Sequence, residues 1–222
     1  MILQVPEGFP PGYYSGFSLM LWFVVIALFF LNFIVFLWKA RGVEMESQKW
    51  LFISYGVASL GLGFTRIFFI LGVYISAQYD FYTILGYISA LAGMVLWIFT
   101  LEKYLVTKTK KVLTLITIVL LIIDFVALLG PIPRELALDL QYIFLPFSLG
   151  AIAILYFYII AKATGDVRTK AIWILIGLIL IVVAQVMDGQ AFITAIPAVP
   201  LELAPVIMMV GILLFLISQI RK

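Results

Sequence analysis

Arg66, in Gly61-Leu-Gly63-Phe-Thr-Arg66-Ile-Phe-Phe, and Asp124, in Leu-Ile-Ile-Asp124-Phe, are ionisable side chains set inside long apolar runs. Asp188, with Gln185 one turn before it, ends another apolar run, and Glu202 opens the next. An ionisable group at membrane depth costs about 2.5 to 3.5 kcal/mol on insertion scales, so it is expected to face protein and to pair. The chemistry these types support is recognition: Arg66 as a fixed cation, with Asp124, Asp188 or Glu202 as counter-ion, around a polar pocket open to the outer side. The structural alternative is an interhelical ion pair that holds helices together.

The elements that must position these groups follow from composition. Of 222 residues, 65% are apolar and 11% charged, with a mean hydropathy of +1.23. A soluble domain is about half apolar and a quarter charged, so the chain reads as one membrane domain over residues 1–222. It has no cysteine and no histidine. That removes thiolate chemistry, Cys- or His-ligated metal, the usual haem ligand and the commonest proton shuttle. With carboxylates alone few catalytic options remain, so neither an enzyme nor a cofactor is expected.

A hydrocarbon core of about 30 Å needs about 20 helical residues. Seven runs fit, at 13–38, 50–74, 82–105, 112–130, 139–161, 171–188 and 201–220. The first lacks a basic leader and ends on Trp38-Lys39-Ala40-Arg41, a stop-transfer pattern, so it is expected to stay in the mature protein. All nine lysines and three of the five arginines fall in Lys39–Lys49, Lys103–Lys111, Lys162–Lys170 and Arg221-Lys222, and only Arg134 falls in the opposite breaks. The positive-inside rule therefore predicts an outer N-terminus, a cytoplasmic C-terminus and a multi-pass protein of the cell membrane. The net charge of +3 reflects this topology and implies no nucleic-acid partner. By helix rise, Arg66 lies about 24 Å and Asp124 about 18 Å from the cytoplasmic ends of their spans, which puts all the candidate groups in the outer half. Tyr13, Tyr14, Trp38, Trp50 and Tyr142 lie near span ends, as an interfacial aromatic belt predicts.

Lys39-Ala-Arg-Gly42 with Lys49 and Gly56 aligns, after a two-residue gap, with Lys162-Ala-Thr-Gly165, Lys170 and Gly177. Both turns run the same way, so the expectation is a parallel duplication of helices 1–3 and 5–7 joined by a linking helix. Gly56, Gly61 and Gly63, and Gly86, Ala90 and Gly93, form small-residue stripes suited to close helix contact. Pro146 and Pro205 are candidate kinks. Lys103, Lys108, Lys110 and Lys111 form a basic patch facing the cytoplasm.

The span from Leu201 to Ile220 has no lysine for a retinal Schiff base, histidine-dependent zinc hydrolases are ruled out, and the Pro-Gln signature of parallel-repeat sugar transporters is missing. Gly-Phe-Thr-Arg66, Phe-Thr-Leu-Glu102-Lys-Tyr and Lys-Ala-Thr-Gly165-Asp-Val-Arg-Thr-Lys170 resemble the seven-helix input modules of sensor histidine kinases and stand-alone archaeal seven-helix proteins, over about a third of the chain. The resemblance implies a receptor-like or sensor-like protein that binds a small ligand or ion from the outer side and acts through a separate cytoplasmic or membrane partner, or as a homo-oligomer. A small-solute transporter with a 3+1+3 helix arrangement and an accessory subunit of a larger membrane complex are the rival readings.

Overall fold

The computed structural model describes residues 13, 14 and 16–220, apart from the side chains of residues 135, 142–146, 190, 191 and 220. The expected outer segment 1–11, the side chains of Tyr142 and Pro146, and the Arg221-Lys222 pair lie outside the described residues.

Those residues fold as helices without strands: α1 Gly16–Arg41, α2 Glu46–Tyr74, α3 Tyr79–Tyr104, α4 Val112–Leu129, α5 Arg134–Lys162, α6 Gly165–Met187, a short α7 Gln190–Ala195 and α8 Leu203–Ile220. Five of them, α1 to α4 and α6, are long and apolar enough to cross a membrane. Among the described residues, α5 and α8 carry the apolar stretches Phe147–Lys162 and Leu203–Gln219. Helices α2, α5 and α6 begin four to six residues before the apolar runs they contain, so Lys49 and Lys170 are helical. Hydropathy marks where the chain can meet hydrocarbon, whereas backbone hydrogen bonding continues the helix into the polar flank.

The closest helix pairs are α2 with α3 and α6 with α8, followed by α1 with α2. Helix α3 also packs on α5, α5 on α6, and α8 on α1, which closes a ring in the order α1, α2, α3, α5, α6, α8. Helix α4 stands outside that ring against α3 and α5, and turns Leu115, Ile122 and Leu129 outward. Small residues make the tightest crossings. A Cβ on Gly93 would lie 2.7 Å from Ala58 Cα, and one on Gly177 would lie 2.8 Å from the Gly211 carbonyl oxygen. Only hydrogen lets those backbones approach so closely.

Pro205 is the third residue of α8. At that position the missing N–H has no intrahelical acceptor to satisfy, so the proline starts the helix and does not kink its interior, contrary to the sequence expectation. Helix α4 gains its first turn from outside. The carboxylate of Glu102, buried on α3, accepts Leu113 N at 3.2 Å, Thr114 N at 2.8 Å and the Thr114 hydroxyl at 2.5 Å. Lys110 and Lys111, both left-handed at φ 49° and 63°, turn the chain sharply into that capped end. An anionic side chain there satisfies orphan N–H groups and complements the helix dipole. At the same Lys-rich end of the bundle, Lys39 on α1 donates to the carbonyl of Gln219 near the end of α8, the favourable sign for a helix C-terminus.

Candidate functional site

Arg66 sits on the buried face of α2, which repeats as Phe52, Tyr55, Ser59, Gly63 and Arg66 at three- and four-residue steps. Its guanidinium is 1% exposed. One terminal nitrogen forms an ion pair with Asp188 Oδ2, and the other donates to Gln185 Oε1. The guanidinium carbon lies 4.2 Å from the Trp22 ring centroid and 5.8 Å from that of Phe69, so the cation is covered by π faces as well as by acceptors. Gln185 and Asp188 are three residues apart at the end of α6, which places both on the side that meets Arg66.

Asp188 occupies the C-cap of α6, where the helix dipole disfavours a negative charge. The required donors come from the chain just before α1. Tyr13 OH donates to the Asp188 carbonyl oxygen at 2.8 Å and lies 3.0 Å from Oδ1, and Tyr14 OH donates to Oδ2 at 2.7 Å. Tyr14 takes φ 50°, an uncommon conformation for an aromatic residue. It is held at both ends, by its hydroxyl on Asp188 and by Tyr74 OH donating to its carbonyl oxygen at 2.9 Å. Its ring also meets Trp22 edge to face at 5.9 Å. These two tyrosines read as interfacial belt residues in sequence, but they are buried parts of the charged cluster. A Tyr-Tyr pair directly before an apolar run is the one signal that could have pointed to them.

The structure therefore brings together Arg66, Gln185 and Asp188, and leaves two other candidates elsewhere. Asp124 does not reach Arg66. It is buried against α5, where Gln141 Nε2 donates to its Oδ1. Glu202 is half-buried just before α8; its main-chain oxygen accepts Val206 N at 3.3 Å, and its carboxylate makes no ion pair among the described residues. Both placements have one physical reason: helix rise fixes depth, but the rotation of each helix decides which neighbour a side chain meets.

A cavity of about 10 Å³ adjoins Asp188, roofed by Phe192 and Ile193 of α7 and by Val199 to Leu201. That is room for about one water. Deeper in the ring, a second void of similar size touches Phe29, Ser59, Leu62, Trp97 and Phe215. Asn32 is one turn below Phe29 on the same buried face of α1, and neither of its amide atoms has a hydrogen-bond partner among the described residues. Below it, the hydroxyls of Tyr55 and Tyr156 share a 2.5 Å hydrogen bond within a cage of Phe36, Trp97 and Phe215. Polar groups thus continue beneath the charged cluster toward the Lys-rich end.

Comparison with known proteins adds no relative: no family model, no curated protein and no solved structure matches this chain.

Proposed function

We propose that the chain is a receptor-like, seven-span membrane protein, N-terminus outside and C-terminus in the cytoplasm, that binds a small carboxylate or zwitterion at the Arg66 cluster. The observation that carries this reading is the cluster itself. A buried guanidinium on α2 is matched by one carboxylate at the end of α6, and that carboxylate is held by two tyrosine hydroxyls and lies beside a small roofed cavity. A ligand carboxylate can take the place of Asp188 on Arg66, while the tyrosines accept or donate in either arrangement. Binding would displace the α7 roof and the Tyr13-Tyr14 segment, and a cytoplasmic partner would read the resulting movement of α6. The split of basic residues supports the orientation.

One observation favours a transporter as the second reading. In the ring of helix contacts, exchanging α1, α2 and α3 for α5, α6 and α8 maps each neighbouring pair onto another neighbouring pair and leaves α4 outside. That is the arrangement expected of two parallel three-helix units with a linking helix. The buried Asn32, Tyr55 and Tyr156 would then lie on the route inward.

Thermal unfolding of the purified protein against a panel of small carboxylates and amino acids tests the site. A ligand present at a hundred times its Kd stabilises by about 2.7 kcal/mol. It is expected to raise the midpoint of the wild type and leave the Arg66→Leu/Asp188→Leu double variant unmoved. An equal rise in both, or none in the wild type across the panel, would overturn the reading. Uptake of the same labelled ligand into proteoliposomes identifies a transporter, and binding without uptake identifies a receptor.

A further inference from the structure

Asp124 and Gln141 are 1% and 2% exposed, and they meet in the seam between α4 and α5. Gln141 Nε2 donates to Asp124 Oδ1. Asp124 Oδ2 and Gln141 Oε1 have no hydrogen-bond partner among the described residues. Both are acceptors, so the pair is short of a positive group. Exchanging the amide atoms of Gln141 changes which oxygen is unmatched and does not remove the deficit. A bare carboxylate at this depth is among the costliest groups a membrane interior can hold.

Among the described residues, no charged side chain makes up the difference. On the neighbouring helices, Asp80 opens α3, while Arg134 and Asp139 are exposed in the first turns of α5. None of them forms an ion pair with Asp124, and Arg134 lies instead over the Phe81 ring at 5.5 Å. The α3 side of the seam is apolar, with Ile84 and Ile88 packed near Ala127 and Ala137. The oxygen-bearing character of the seam also continues. Helices α4 and α5 are joined by a turn of a few residues and pack together, so they run antiparallel. Thr117 and Ser148 each lie seven residues, about 10 Å, further toward the Lys-rich end on the same faces as Asp124 and Gln141. Both are fully buried, and the Ser148 hydroxyl has no hydrogen-bond partner among the described residues.

We propose that Asp124 and Gln141 form a binding site for one monovalent cation, a proton or a sodium ion, held between Asp124 Oδ2 and Gln141 Oε1. A proton there completes a ring of two hydrogen bonds, with the acid O–H donating to Oε1 and Nε2–H donating to Oδ1. A sodium ion takes the same carboxylate and amide oxygens, the ligand types that hard cations prefer. The site shares no residue with the Arg66 cluster, so it stands or falls separately from the receptor reading.

Infrared difference spectroscopy of the full-length protein in liposomes tests it. In sodium-free buffer near neutral pH, the wild type should show a carboxylic-acid C=O band that is lost in Asp124→Asn and displaced in Gln141→Leu, where the acid loses its amide partner. A band that survives added sodium chloride identifies the proton as occupant. A band that sodium chloride abolishes and choline chloride does not identifies sodium. Should Asp124→Asn fail to fold, the displacement in Gln141→Leu carries the assignment. Wild-type spectra with neither an acid band assignable by these variants nor a sodium-dependent carboxylate change would overturn the proposal.

Discussion

At the C-terminal ends of α2 and α6 both carboxylate oxygens of Asp188 have donors, whereas between α4 and α5 Asp124 keeps one oxygen unmatched among the described residues. The packing around the two acids differs in the same sense. The helix pairs α2–α3 and α6–α8 approach through Gly93 and Gly177 until no Cβ fits, while a Cβ added to Gly150 on α5 would meet nothing within 4 Å. Helix α4 adds only an outer layer to the ring. One region therefore carries its charges as a finished, closely packed network. The other leaves a carboxylate to be neutralised by something mobile.

The largest effect should come from breaking the finished network at one end. Asp188→Leu strands the Arg66 cation in a closed interior, and removal of one partner of a buried pair typically costs about 3 to 5 kcal/mol. Replacing both, as Arg66→Leu/Asp188→Leu, should recover much of that loss, because no unpaired charge remains. Thermal unfolding in detergent measures both variants. A double variant no more stable than the single would mean that the tyrosine hydroxyls and Gln185 depend on the charges for more than neutralisation.

Packing offers a second contrast of smaller size. Gly93→Val places side-chain atoms against Ala58 Cα and the Val57 carbonyl, both backbone, and overpacking of this kind costs about 1 to 3 kcal/mol. Gly150→Ala on α5 meets open space and should gain up to about 1 kcal/mol from reduced backbone freedom in the unfolded chain. Melting midpoints that move in opposite directions would confirm that the closely packed region and the α5 region differ as described; midpoints that both fall would show α5 to be as tightly held as α2.

Much of the helical framework was legible because it depends on one-dimensional properties. Apolar run length marks the positions of the long helices, and the cost of burying a guanidinium explains why Arg66 faces protein. The small-residue stripes on α2 and α3 similarly show in spacing alone. Partnerships were less legible. Tyr13 and Tyr14 reach Asp188 across more than 170 residues, and nothing local distinguishes such tyrosines from belt residues. Glu102 caps a helix other than its own, a role visible only when α3 and α4 are side by side. Nothing in the sequence around Gln141 sets it apart from other polar residues, and its meeting with Asp124 depends on how α4 and α5 are rotated. Helix depth is encoded in sequence distance, but helix rotation is fixed by packing among all neighbours.

The smallest expected effect is also the most discriminating, because it sets the same substitution at both acids. Asparagine keeps the size of aspartate and removes its charge. At position 188 it leaves Arg66 with neutral acceptors only, from the new amide and from Gln185, so the ion pair is lost while the buried cation remains. Loss of one partner of a buried pair typically costs about 3 to 5 kcal/mol, and Asp188→Asn should fall near or below the low end of that range because neutral acceptors remain on Arg66. At position 124 the amide resembles the neutral acid: its carbonyl accepts Gln141 Nε2, and its NH2 can donate to Gln141 Oε1. If Asp124 is held in a neutralised form, Asp124→Asn should change stability by less than about 0.5 kcal/mol, the range of substitutions that leave contacts intact. Unfolding curves of the two variants under identical conditions provide the comparison. Equal losses would mean that Asp124 carries a structural charge matched by a partner on the protein, and the contrast between the two regions would then collapse.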